Sequence, residues 1–285
     1  MATTEDQSLD PVTTDAREVS QTDTDGNLPA GEPARASIEL RDAVLRYPLG
    51  PYRRGSIKAG AMRLLGHREP MPHLKYVEAL HGINLTISDR ERVGIIGHNG
   101  SGKSSLLRTL AGIYPLYSGD AIVRGRVGTL LEIGLGFETE STGRENIFYR
   151  GLAIGMSPSE IRAMEDDIIA FADLGEFIDL PMRTYSSGMY VRLGFAISTQ
   201  ITPDVLLIDE VFGAGDASFR VRAERRMQSI VDSAGIVVMA SHDMGLVERV
   251  CDRVLHIDNG KIVNDGAPAD VVPGFLEDMH QRGNA

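Results

Sequence analysis

The octet Gly97-His98-Asn99-Gly100-Ser101-Gly102-Lys103-Ser104 constrains this chain more than any other stretch, because of what flanks it. The apolar run Val93-Gly94-Ile95-Ile96 precedes it, and a helix-like run, Ser105-Leu106-Leu107-Arg108-Thr109-Leu110, follows. A strand that feeds a glycine-rich turn, which then opens a helix, aims several backbone N–H groups and the positive end of a helix dipole at one spot. Such a spot binds phosphate. Lys103 is placed to reach the β- and γ-phosphates of a nucleoside triphosphate, and the Ser104 hydroxyl to ligate Mg²⁺. The chain has only four lysines (Lys58, Lys75, Lys103, Lys261), so one inside this loop is a poor candidate for accident.

A hydrophobic content of 42% in 285 residues supports a sizeable core. The net charge of −11 argues against a nucleic-acid binder, which would show a basic surface. The acid is uneven: residues 1–36 carry eight acidic residues against two arginines, a net of −6. That segment has few apolar residues and no period, so it is expected to be a disordered acidic tail, and it lacks the basic start and apolar core of a signal peptide. Cys251 is the only cysteine, which excludes an internal disulfide and suits a cytosolic setting. No apolar run approaches the ~20 residues of a membrane-spanning helix.

Along the chain, Ser37 to Tyr47 alternates like a strand, as does Glu78 to Ile87. Between them, residues 48–75 read as an insertion. Ile57, Ala61, Leu64 and Leu65 there fall on one helical face near Lys58, Arg63 and Arg68, which fits a basic amphipathic helix or a surface insertion equally. Val123 to Ile133 reads as one further strand. Helices are expected over Gly143 to Ile154, over Pro158 to Leu174 (opened by the capping box Ser157-Pro158-Ser159-Glu160), and over about Ala217 to Val231. Asp204 to Asp209 and Gly235 to Ala240 read as buried strands. Asp258-Asn259-Gly260 is a hairpin turn between Arg253 to Ile257 and Lys261 to Asn264. A helix broken at Pro273 follows Gly266. The order is a β-rich start, then an α/β core with a helical insertion inside it.

The strand Asp204-Val205-Leu206-Leu207-Ile208-Asp209-Glu210 ends in two carboxylates. After a phosphate loop, Asp209 at the strand tip is the metal-holding candidate, and Glu210 the group that orients and deprotonates an attacking water. A second loop of small residues at a helix start, Tyr185-Ser186-Ser187-Gly188-Met189, makes Ser186 and Gly188 a second phosphate site; alone it would be an ordinary serine cap. One nucleotide cannot occupy both sites within one chain, so a head-to-tail dimer is the simplest arrangement. Its γ-phosphate is clamped by one chain's loop and the other's Ser186 and Gly188. His242, just past the next buried strand, is placed to contact a γ-phosphate, and Asp216 lies where a dimer-contact loop would be.

In order and spacing these motifs resemble the nucleotide-binding subunit of an ABC transporter, over roughly residues 37–270. The resemblance implies an α/β fold: a P-loop NTPase of the ABC ATPase type, with an antiparallel β subdomain and a helical insertion, the latter at about 143–195. It implies ATP hydrolysis with ATP and Mg²⁺ at two composite sites, nucleotide contacts from Gly97 through Ser105, and Tyr47 stacked on adenine. The usual signature LSGGQ is here YSSGM, and no glutamine occurs from residue 22 to 199, where the γ-phosphate loop would carry one. The strings Leu130-Leu131-Glu132-Ile133-Gly134-Leu135-Gly136-Phe137, Thr142-Gly143-Arg144-Glu145-Asn146 and YSSGMYVRL are similar to those of bacterial polysaccharide exporters of the O-antigen, capsule, teichoic acid and galactan types. Glu132 then stands in for the glutamine as a metal ligand.

The resemblance further implies a second copy of the chain, a separate polytopic membrane permease, and a polysaccharide, lipid-linked, handled by that permease. It places the chain on the cytoplasmic face of the inner membrane and assigns it no nucleic acid. Residues 271–285 are a short C-terminal segment, and a carbohydrate-binding domain carried by some relatives is expected to be absent. Helices at about 143–180 should meet the permease, with Ile147, Phe148, Leu152 and Ile154 as candidates. A soluble translation or repair ATPase is disfavoured by a single P-loop and by the 83 residues separating Lys103 from Ser186, too few for a long coiled coil. A GTPase is disfavoured because no lysine has an aspartate two residues on. A small-molecule kinase would leave YSSGM unexplained.

Overall fold

The computed structural model describes residues 35–49, 75–131, 136–209 and 217–283. Residues 1–34 of the expected tail, nearly all of the 48–75 insertion, and Glu132, Glu210 and Asp216 lie outside the described residues, whereas Ala36, expected in the tail, is buried in the core.

Two sheets organise the chain. Strand β1 (Ser37–Leu49) pairs antiparallel with β2 (Lys75–Ser88) on one side and β4 (Ser118–Arg124) on the other. The second sheet has the order β5-β6-β7-β3-β8-β9, built from β5 (Val127–Leu130), β6 (Val205–Asp209), β7 (Ile236–Ala240), β3 (Arg92–Ile96), β8 (Arg253–Asp258) and β9 (Lys261–Gly266). It is parallel except for the β8–β9 hairpin at its edge.

The near-continuous apolar runs of β3, β6 and β7 follow from burial on both faces. Successive side chains go to opposite cores. Val205, Leu207, Ile236 and Val238 join Val93 and Ile95 in a cluster shared with the antiparallel sheet and with helix α1 (Lys103–Leu110). Leu206, Ile208, Val237 and Met239 face the other way. There they meet Phe219, Ala223, Met227, Ile230 and Val231, which recur at helical spacing on helix α5 (Ala217–Ser233). A third cluster lies under helices α2 (Gly143–Ala153), α3 (Pro158–Ala172) and α4 (Ser187–Ser198), with Ile147, Ile161, Ile168 and Leu193 fully buried. Helices α6 (Met244–Val250) and α7 (Pro268–Gly283) complete the chain.

Two expectations are corrected. The run Val123 to Ile133 is not one strand: it is cut at Gly125, and its halves belong to different sheets. Gly125 has φ +106, and a Cβ there would come within 2.7 Å of the Asp204 side chain. Asp204 fixes the reversal by accepting from Arg126 N at 2.7 Å and donating its own N–H to Arg126 O at 2.9 Å. Pro273 does not break the last helix either, but sits inside α7. Proline forfeits one hydrogen bond there. Burial of Val271, Val272 and Phe275 offsets the loss, with Phe275 meeting His256 edge-on at 5.0 Å.

Candidate functional site

The C-terminal ends of β3, β6 and β7 lie side by side, the place where open α/β sheets bind ligands. Each ends in one of the expected residues: β3 runs into the loop at Gly97, β6 ends at Asp209, and His242 follows β7. A cavity of about 520 Å³ opens there. Asn99, Gly100, Gly102, Lys103, Ser104 and Ser105 line it, together with Asp209, His242 and Tyr47. Residues 100 and more apart in the chain thus meet at one void, as expected from the motifs.

The loop is shaped by what glycine permits. A Cβ on Gly97 would lie 2.2 Å from Ile257 O and 2.6 Å from Ser101 Oγ, so no other residue fits. Gly102 has φ +115 and is the N-cap of α1 without any capping side chain. This separates α1 from α2, α3, α4 and α6, whose first turns are capped by Thr142, Ser157, Ser186 and Asp243. A helix start leaves N–H groups to be satisfied, and here the cavity is what they face. Lys103, 7% exposed, donates from Nζ to Gly97 O at 2.8 Å and His98 O at 3.1 Å. Burial pushes its pKa down while Asp209 pulls it up. Among the described residues this buried ammonium faces two carbonyls and the Asp209 carboxylate, a setting in which a polyphosphate would be a favourable partner. His242 is likewise lowered, first by partial burial, then by Lys103, against an opposing pull from Asp209.

Gly97, His98 and Ser101 do not line the cavity. They hold the loop from behind. His98 turns its ring to Asp258, Nε2 donating to Oδ1 at 2.7 Å. Tyr47 hydrogen-bonds Ser105 Oγ at 3.0 Å and meets Tyr114 edge-on at 5.4 Å, so its ring is fixed at the cavity wall. Sequence reasoning missed six residues of the wall: Val77 to Ala79 and His81 on β2, and Asn259 and Gly260. The Asp258-Asn259-Gly260 turn was legible only as a turn. Its second use shows in Gly260 N donating to Ser101 O at 2.7 Å.

Among the described residues, no cluster of three or more His, Cys, Asp or Glu could hold a metal unaided. Ser104 and Asp209 reach the cavity as oxygen donors, a set that suits Mg²⁺ sharing its remaining positions with phosphate and water.

Ser186 and Gly188 do not reach this cavity. Ser186 is exposed and caps its own helix, accepting from Met189 N at 3.3 Å. A hydroxyl that accepts still has its O–H to donate outward. Behind it, Tyr185 is buried and donates to Phe177 O at 2.7 Å; burial pushes its phenol up to about 12. Gly143 leaves the space, because a Cβ there would fall 2.2 Å from Tyr185 Oη. The rest of the Thr142–Asn146 string is structural as well. Thr142 and Glu145 form a capping box, Arg144 bridges Asp179 and Glu165, and buried Asn146 ties Glu138 to Thr142. Arg192 caps the C-terminus of α3, donating to Ala172 O, Asp173 O and Asp173 Oδ2, and Arg222 of α5 shares that carboxylate. Of the expected partner-facing residues, Ile147 is fully buried core; Leu152 is 43% exposed, beside Tyr149 at 46%.

The geometry agrees with the comparisons. The ABC transporter family profile matches residues 80–213. The O-antigen export system ATP-binding protein RfbE of Yersinia enterocolitica is 46% identical over 66% of this chain and 79% of its own length. The chain belongs to the ABC transporter family. RfbB of Myxococcus xanthus, another O-antigen export system ATP-binding protein, is 44% identical over 78% of this chain. The match spans about half of that relative's length, 51%. The teichoic acids export ATP-binding protein TagH of Levilactobacillus brevis is 40% identical over 70% of the chain. Among solved structures, the ATP-binding subunit of an ABC transporter superposes with a TM-score of 0.61 at 20% identity, covering 87% of this ABC protein and 99% of that chain. A dimeric post-hydrolysis state of an ATP-binding cassette bound to ADP and Pi gives 0.60 at 19%, covering 81% and 98%. Both fix the fold as that of an ABC cassette.

Proposed function

We propose that this chain is the ATP-hydrolysing subunit of a bacterial exporter of a polysaccharide, working as a head-to-tail dimer on a separate membrane permease at the cytoplasmic face of the inner membrane. The observation that carries the ATPase reading is the uncapped start of α1, with Lys103, Ser104, Asp209, His242 and Tyr47 around one cavity. The export reading is supported by 40–46% identity to O-antigen and teichoic acid export ATP-binding proteins. Among the described residues no helix is long and apolar enough to cross a membrane, and we assign the passage itself to the separate permease. We place the ATPase domain at 37–270 and its helical subdomain at about 143–195.

In this reading Tyr47 holds the base while the α1 N–H groups and Lys103 hold the phosphates, Lys103 exchanging its bonds to Gly97 O and His98 O for phosphate oxygens. Ser104 and Asp209 hold Mg²⁺, with Glu132 proposed as a further ligand in place of the glutamine. A cation held there would neutralise phosphate charge. Glu210, next in the chain after Asp209, takes the proton of the attacking water as the bond from the γ-phosphorus to the bridging oxygen breaks. His242, at the cavity beside Lys103 and Asp209, steadies the γ-phosphate. The partner copy's Ser186 O–H and α4 start close the site.

The test is Glu210→Gln in the native host. The expected result is a loss of turnover of about a hundredfold or more with ATP still bound, and lipid-linked polysaccharide retained inside the cell. Wild-type hydrolysis would remove Glu210 from its role; unchanged surface polysaccharide would remove the export reading.

A further inference from the structure

His98 belongs to the phosphate loop but spends its side chain elsewhere. Its Nε2 donates to Asp258 Oδ1 at 2.7 Å, and its Nδ1 lies 2.7 Å from Asn99 O. Asp258 ends β8 and is itself held. Arg282, in the last turn of α7, donates to Oδ2 at 2.8 Å and to Oδ1 at 3.4 Å. With side chains 18% exposed at Asp258 and 29% at His98, the inner pair is partly shielded from solvent, while Arg282 at 54% is not. The Arg282 guanidinium and then His98 hold the Asp258 carboxyl down at about 2. The same turn grips the loop through its backbone, Gly260 N donating to Ser101 O, and is tied to β2 by His81 N donating to Gly260 O at 2.9 Å.

We propose that Asp258 is a positioning residue for the phosphate loop, acting through His98 and set by Arg282, so that the last turn of α7 tunes nucleotide affinity. The proposal rests on reading Gly97 to Ser105 as the phosphate loop. Lys103 is tied to the carbonyls of Gly97 and His98, and Ser101 N donates to His98 O at 3.1 Å, so the loop's shape depends on where those two peptides stand. Anchoring the His98 ring to a rigid hairpin keeps them there. A loop that samples other shapes binds more weakly in proportion to the time spent out of place.

The probe is MgADP, titrated calorimetrically against the full chain, with steady-state ATP hydrolysis measured alongside. Asp258→Asn keeps the shape and removes the charge. It is expected to weaken MgADP binding roughly fivefold to tenfold and to raise KM while leaving kcat at saturation unchanged. Arg282→Gln, at the exposed end of the chain's last helix, is expected to weaken binding about twofold. In a His98→Ala background both substitutions should add nothing, since the path through the ring is already cut. Unchanged affinity in Asp258→Asn, or losses of the same factor with and without His98, would overturn the proposal. Should Asp258→Asn fail to fold, Arg282→Gln with and without His98 decides by the same criterion. Lys103→Ala is the control on the underlying reading: if it left MgADP affinity intact, the phosphate-loop assignment itself would fall.

Discussion

Helices α1 and α4 both start from loops of small residues, yet their ends are built differently. The start of α1 has no capping side chain, faces a cavity and carries a buried ammonium. The start of α4 is exposed, capped by its own Ser186 and outside that cavity. The first end offers its N–H groups and a lysine ammonium to an anion. The second is stable as it stands and has an O–H to spare. A chain with one hungry end and one finished end is suited to a site in which the ligand docks on α1 first and another copy's α4 arrives second.

The comparison breaks most sharply at the charges. Lys103→Ala is expected to weaken MgATP binding by about a hundredfold or more, measured by titration on the isolated chain. Ser186→Phe should leave that affinity within about twofold and abolish only ATP-driven pairing, read by light scattering. Equal losses in the two variants would erase the distinction between the ends.

Glycine at each end sharpens the contrast next. A Cβ on Gly97 meets Ile257 O at 2.2 Å, whereas one on Gly188 meets only Ser186 Oγ at 3.9 Å. Gly97→Ala should therefore cost about 2–3 kcal/mol in urea unfolding, and Gly188→Ala less than about 0.5 kcal/mol. The smallest effect is a pH dependence on the α1 side. The pKa of His242 is lower in the folded chain than unfolded, so the unfolded chain takes up the extra proton first. Its contribution is complete above the ordinary imidazole range, about pH 6.5, and is lost as pH falls through the lowered value. Unfolding curves between pH 5 and 8 should show a slight fall in stability at the acid end that His242→Gln flattens.

The α1 side was largely legible in the sequence because it is local: strand, turn and helix start sit in one run, and Asp209 and His242 mark the ends of apolar strands. What escaped was non-local. Nothing in Asp258-Asn259-Gly260 says that a hairpin turn will press on the loop 160 residues earlier, since that contact comes from the strand order β3-β8-β9. Gly125 was read through because periodicity cannot tell one strand from two halves in different sheets. Pro273 was given its usual weight, and packing by Val271, Val272 and Phe275 outweighed it. In the Thr142–Asn146 string the motif was visible but its reason was not. Each of those side chains caps, bridges or makes room, which shows only when Tyr185 and Glu138 are in place beside them.

A mixed-chain experiment tests the shared site most directly. Two chains are prepared in the Glu210→Gln background, one with Lys103→Ala and one with Ser186→Phe, and ATP retained after rapid gel filtration is counted for each alone and for the mixture. If the site is built from α1 of one chain and α4 of another, neither parent retains ATP, and the mixed dimer retains one, at the site where an intact loop meets an intact Ser186. No retained ATP in the mixture, or retention by either parent alone, would contradict a site divided between two copies.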